Sequence, residues 1–121
     1  MQVKKRLACG NKSVNGAAPK MENHITEMNR LLRRFPLGRI VATPDALRAL
    51  EQAYHSPFEF LERHQTGDWG DLCEDDKREN EFSVHNGFRI LSAYRTRNDV
   101  KIWVITEADR SVTTLLLPHE Y

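Results

Sequence analysis

Two short segments of this chain concentrate side chains that can do chemistry. The first runs Arg63-His64-Gln65-Thr66-Gly67-Asp68-Trp69-Gly70-Asp71. An imidazole titrates where both protonation states are populated, so His64 is a candidate general acid or base. Trp69, set close to two glycines, is a candidate stacking platform. The same residues admit a structural reading, with Trp69 plugging the core and Asp68 and Asp71 bonded to loop amides. The second segment runs from Trp103 to Thr114. There Glu107 can accept a proton and Arg110 can grip a phosphate or carboxylate oxygen in forked geometry, and two threonines, Thr113 and Thr114, follow in a strand. The plain alternative is a polar hairpin turn with a local Asp–Arg or Glu–Arg pair, which contributes little by itself.

Basic side chains flank the second segment. Arg89, Arg95 and Arg97 share one parity of an expected strand, with Lys101 nearby. That makes a positive strip suited to a phosphate backbone. Solvated charges that discourage strand addition at a sheet edge are the other reading.

Several chemistries are excluded by absent motifs. No G-x-x-x-x-G-K-[ST] loop and no G-x-G-x-x-G opening a helix occurs, so nucleotide and dinucleotide binding of those kinds is not expected. No C-x-x-C, H-E-x-x-H or His/Cys group at metal spacing is present, and Cys73 with His85 does not complete a four-ligand site. We expect neither metal nor cofactor. Cys73 reads as a buried or half-buried structural thiol.

The elements that must position these residues follow from local signals. With 121 residues there is room for one domain around one core. Charge divides the chain. Residues 1–34 hold eight Lys/Arg and two acids (8 − 2 = +6), and residues 35–121 hold ten and fifteen (10 − 15 = −5). The first part reads as a basic, flexible extension in which Met21–Arg34 forms either a basic helix, with Ile25, Met28, Leu31 and Leu32 at roughly helical spacing, or a frayed lead-in. It carries no apolar run of signal-peptide type, and no stretch approaches a membrane span, so the chain is read as having no membrane association. The sparse cysteines, Cys9 and Cys73, suggest a reducing cytoplasmic setting.

The body, residues 35–121, is expected to be a single α+β domain with helices packed on a C-terminal antiparallel meander of three to four strands. Arg39-Ile40-Val41-Ala42 is a short β run for the sheet edge. Thr43-Pro44 and Ser56-Pro57 each place a capping hydroxyl before a first-turn proline, and Ser56 with Glu59 fits a capping box. The first helix is expected to bury Leu47, Leu50 and Tyr54, and the second Phe58 and Leu61 with Phe60. A third helix spans about Glu74–Asn86, acidic at its front, with a thin stripe of Phe82 and Val84, and closes at Asn86-Gly87. Strands follow at Phe88–Thr96, Lys101–Thr106 and Val112–Leu117. The middle one is apolar on both parities, as a strand covered on both faces should be.

The stretches F-P-L-G-R-I-V-A-T-P-D-A-L, F-L-E-R-H-Q-T-G-D-W-G-D-L, R-I-L-S-A-Y and I-W-V-I-T-E-A-D-R-S-V-T-T-L-L-L-P-H-E-Y resemble a family of small bacterial and plasmid-borne proteins. Members often carry automatic names such as plasmid-related protein or type I restriction endonuclease subunit M. The resemblance covers about residues 35–121. The second name implies a DNA adenine methyltransferase, yet the chain lacks that class's glycine-rich loop and Asn/Asp-Pro-Pro-Tyr/Phe motif and is too short for its fold. At the level of fold, helices followed by a meander are also similar to the barnase/RelE-like ribonuclease toxins. That likeness would cast His64, Arg89, Glu107 and Arg110 as acid, base and phosphate groups of a metal-independent ribonuclease, with Thr114 as an extra donor. Two functions are therefore expected. The first is a non-enzymatic accessory protein of mobile DNA that binds RNA, DNA or a protein partner through the sheet edge and the Trp69 loop. The second is the ribonuclease.

Overall fold

The computed structural model describes residues 32–121. The expected helix at Met21–Arg34 and the character of the basic extension therefore lie, up to residue 31, outside the described residues.

Each helix starts where its capping chemistry stands. Strand β1 (Arg39–Ala42) leads into helix α1 (Pro44–Gln52), whose N-cap Thr43 accepts from the Ala46 amide at 3.1 Å. Helix α2 (Pro57–Gln65) is capped by Ser56, which accepts from Phe58 N at 3.2 Å. Glu59 does not close the expected capping box; its carboxylate pairs instead with His55 Nδ1 at 3.0 Å. Helix α3 (Glu74–Asn86) ends at Gly87, whose φ of 75° is the left-handed closing conformation. Strands β2 (Ile90–Arg95), β3 (Lys101–Thr106) and β4 (Val112–Leu116) follow, then a short 3₁₀ turn at Pro118–Glu120.

The fold is α+β, with sheet order β1-β4-β3-β2. The antiparallel meander β2-β3-β4 is present as expected. The fully antiparallel expectation needs correction, because β1 joins β4 in parallel, with Ile40 opposite Thr113 and Val41 opposite Thr114. The sheet is mixed, and one strand precedes all three described helices.

Register divides the sheet into two faces. Tyr94, Ile102, Val104 and Leu115 share one face and pack with Leu50, Phe60 and Leu61 of α1 and α2. Leu91, Ala93, Ile105, Trp103 and Leu116 share the other. Some expected core residues point outward. The α1 stripe is Ala46 and Leu50, one turn apart, so Leu47 falls off it. Tyr54 is 88% exposed, because its φ of 59° turns the chain just past the helix end. In α2, Phe60, Leu61 and His64 face inward, which leaves Phe58 in solvent. Helix α3 buries Asp76, Asn80 and Ser83, while Phe82 stays exposed and stacks on Phe88.

Candidate functional site

His64, in the last turn of α2, points into the core with 0% exposure. Its Nδ1 meets Ser92 Oγ at 2.6 Å and its Nε2 meets Thr106 Oγ1 at 2.9 Å. Thr106 Oγ1 in turn lies 2.7 Å from Thr113 Oγ1, and Thr113 donates to the Leu37 carbonyl at 2.7 Å. A carbonyl can only accept, so this last bond sets the direction of the chain. Thr113 spends its proton on Leu37, Thr106 donates to Thr113, and the Thr106 oxygen accepts from His64 Nε2–H. In a neutral ring Nδ1 then accepts from Ser92. Four polar side chains in an apolar core are thereby satisfied. The arrangement is that of a structural pin; as a catalytic acid or base His64 would need a path to solvent.

Trp69 is built into the same core. Its ring stacks on Phe35 (6.3 Å) and meets His64 edge-on (6.1 Å), while Nε1 donates to Glu81 at 3.0 Å. The plug reading of the loop is what the geometry matches. Asp68 accepts from Gly70 N and pairs with Arg63 at 2.7 Å. Glu81 also takes a forked pair from Arg34, at 2.7 and 2.9 Å. Hydrogen bonding to Arg34 holds the Glu81 carboxyl below its usual range and raises the guanidinium.

The second segment does bring three expected residues together. Arg89 Nε stands 3.3 Å from Glu107 and its Nη1 donates to Tyr121 Oη. Arg110, on the same hairpin, gives its guanidinium to the carbonyls of Phe88 (2.8 Å), Ala108 (3.1 Å), Glu107 (3.2 Å) and Ser83 (2.9 Å). It therefore ties the β3–β4 turn to the last turn of α3, where a cation complements the helix dipole. Burial lowers its pKa from the ordinary value. Beside it is an open hollow of about 350 Å³ lined by Glu107, Ala108, Asp109 and Ser111. His64 does not line that hollow. Thr114 is half-buried on the opposite parity from Thr113, so the hydroxyl in the polar chain is Thr113's.

The basic strip is divided among partners. Arg95 pairs with Asp71 (2.9 Å) and Asp99 (2.8 Å). Arg97 lies beyond β2 and donates to the Ala53 carbonyl at 3.4 Å. Paired with nearby carboxylates, Arg89 and Arg95 present a weakened field to a phosphate backbone.

Sequence reasoning missed the two edges of the sheet. On β2, Asn80 of α3 places its amide against the strand, donating Nδ2–H to Leu91 O (2.8 Å) and accepting Leu91 N–H (3.2 Å). Ala93 N–H goes to Trp69 O (3.2 Å), and Asp71 N–H goes to Ala93 O (2.6 Å). Gly70 makes this approach possible, since its φ is +79° and an added Cβ would sit 2.0 Å from Ala93 O. On β1 nothing comparable is present among the described residues. Arg39 N–H and Thr43 N–H bond to Ser111 O and Leu115 O. The alternation of a parallel ladder then turns the N–H and C=O of Ile40 and Ala42 away from β4. Ile40 and Val41 are 42% and 36% exposed. A sequence signal for the closed edge was available in Asn80, a polar residue one turn from Asp76 on the inward face of α3, but its partner strand was not.

Asp45, His119 and Glu120 bring donor atoms within 4.8 Å of one another. Asp45 is paired with Arg48 at 2.7 Å, and Glu120 accepts from Thr43 Oγ1 and Leu117 N at 2.8 Å, so both carboxylates already have partners. Cys73 is disulfide-bonded and half-buried, which corrects its reading as a free thiol and withdraws one premise of the reducing setting. No helix among the described residues is long and apolar enough to cross a membrane.

Compared with known proteins, the chain matches no family model, no curated protein and no solved structure.

Proposed function

We propose that this chain is a non-enzymatic binding protein whose partner is another protein, taken as an added strand on β1. The observation that carries the reading is the contrast between the edges. One is closed by Asn80 and the Trp69–Asp71 loop, and the other, among the described residues, leaves outward amides and carbonyls flanked by exposed Ile40 and Val41. An exposed strand edge is a ready template for pairing, in which main-chain bonds supply affinity and alternate side chains supply choice. The ligand is an extended segment of alternating apolar residues. A protein is preferred to nucleic acid because Arg89 and Arg95 are held by carboxylates. The role as an accessory of mobile DNA rests on the resemblance of residues 35–121 to plasmid-borne proteins. A cytoplasmic setting is part of this proposal, with the disulfide at Cys73 as the feature that cell fractionation must weigh against it.

The test uses the full chain and extended peptides selected on it from a random library. Ile40→Pro removes an N–H that the ladder with β4 does not use. Selected peptides should be alternately apolar, insensitive to salt, and lost on Ile40→Pro. Peptides that bind this variant equally well would sink the reading. So would failure to select any peptide while RNA or DNA binds with a steep salt dependence.

The ribonuclease reading keeps one supporting observation, the convergence of Arg89, Glu107 and Arg110 beside the hairpin hollow. It requires RNA cleavage in EDTA that Glu107→Ala abolishes; intact RNA after prolonged incubation removes it.

A further inference from the structure

The β1 edge carries opposite charges at its two ends, which fits it to a second copy of itself. Arg39, the first residue of β1, is exposed, and no ion pair holds its guanidinium among the described residues. Just past the other end, Thr43 donates Oγ1–H to Glu120 at 2.8 Å. Asp45 lies in the same cluster, but Arg48 already pairs with it at 2.7 Å, so Glu120 is the carboxylate there without an arginine. The main chain sets a register. Ile40 and Ala42 turn their N–H and C=O groups outward, because the amides of Arg39 and Thr43 bond to β4. In an antiparallel pair, opposed residues of this outward kind exchange two bonds. A twofold axis through Val41 sets Ile40 opposite Ala42 of the second copy, so every outward group of both strands is used. The same axis sets Arg39 opposite Thr43 of the second copy, beside that copy's Glu120, and keeps the two Arg39 side chains at opposite ends. An axis through Ile40 would instead set Ala42 against Gly38, whose φ of 67° is not that of a strand.

We propose that, when no partner strand is bound, β1 pairs antiparallel with β1 of a second copy of this chain about a twofold axis through Val41, with Arg39 of each copy against Glu120 of the other. The proposal rests on the reading of β1 as an edge that takes an added strand, and it supplies the regulation of that edge. The second copy must leave before a partner strand can enter. A twofold contact of this kind is closed. It joins two four-stranded sheets into one whose outer margins are both β2, the margin covered by Asn80 and the Gly70 loop, so no filament grows. Val41 meets Val41 at the axis as an apolar pair on one face of the joined sheet. A contact built on a four-residue strand falls short of the ~1,000 Å² of a stable interface, so the dimer is weak and exchanges readily.

Full-length protein is followed by sedimentation over a concentration series at low and high salt. Wild type should pass from monomer to dimer as concentration rises, and Arg39→Glu should weaken self-association about tenfold at low salt. The register is read by cross-linking. Val41→Cys should form a disulfide-linked dimer on mild oxidation, because opposed residues without ladder bonds stand ~4.5 Å apart at Cα, within disulfide reach. Ile40→Cys, offset from its own copy by two residues, should not; wild type treated alike is the control for the native cysteines. Peptides selected on β1 should dissolve the dimer. A chain that stays monomeric up to its solubility limit overturns the proposal. So does a dimer indifferent to Arg39→Glu, or one that Ile40→Cys cross-links and Val41→Cys does not. A monomer that still binds selected peptides sinks this inference and leaves strand addition standing. A dimer with the expected register for which no peptide can be selected does the reverse.

Discussion

The two edges of one sheet are treated in opposite ways. Along β2 every outward polar group at Leu91 and Ala93 has a partner, supplied by a helix side chain and by a loop folded around Gly70. Along β1 the outward groups of Ile40 and Ala42 have no such partner among the described residues, and the strand is only four residues long. An unpaired edge invites association, which is why proteins cover edges or keep them short. Here the longer edge is closed by parts of the core, and the shorter has no such cover among the described residues. On the proposed reading, stability and binding fall to different margins of one sheet.

The strongest way to break this comparison is at Gly70. Gly70→Ala forces a Cβ into the Ala93 carbonyl at a positive φ, and should cost at least ~3 kcal/mol in urea unfolding. A loss below 1 kcal/mol, on the order of an ordinary surface change, would mean that the loop is not held against the strand. Asn80→Leu keeps the volume but strands two main-chain groups of Leu91, for an expected loss of about 2–3 kcal/mol. Hydrogen exchange at the Leu91 amide should rise in that variant and not at β1. A smaller effect is expected at Glu81, which anchors Trp69 and Arg34 beside the closed edge. Its folded pKa is depressed, so its stabilisation is present above the ordinary value of 4.5 and is lost as pH falls through the folded value. Glu81→Gln should therefore cost roughly 1 kcal/mol near neutrality. The gap from wild type should close in acid, as read by unfolding at several pH values. A gap constant with pH would detach Glu81 from this role. The least change in stability is expected at the open edge, where Ile40→Pro should shift unfolding by under ~0.5 kcal/mol. A large loss there would mean that β1 is closed by something and that the comparison is wrong.

The sequence spoke clearly wherever the cause is local. Thr43-Pro44 and Ser56-Pro57 opened helices because a capping hydroxyl and a first-turn proline act within four residues. Gly87 closed α3, and short turns at Arg97-Asn98 and Ala108-Asp109 join the meander strands. The outward turn of Tyr54 and Phe58 was less legible, since an exposed aromatic and a core aromatic look alike in a short helix. His64 and Trp69 drew attention as reactive types, and both turned out to be enclosed. The residues that explain His64 are Ser92, Thr106 and Thr113, small hydroxyls in otherwise apolar strands. Such hydroxyls are informative only when paired across a sheet.

What the chain determined by itself is therefore the inventory of elements, their ends, and a central strand that must be covered on both faces. Only the tertiary structure decided that β1 runs parallel to β4, that a helix asparagine and a glycine loop close β2, and that Arg89, Arg95 and Arg110 serve the body's own carboxylates and carbonyls. The reason is range. Caps and turns are fixed by neighbours a few bonds away, whereas strand order and the partners of buried polar groups are settled between different elements, such as His64 and Ser92, 28 positions apart.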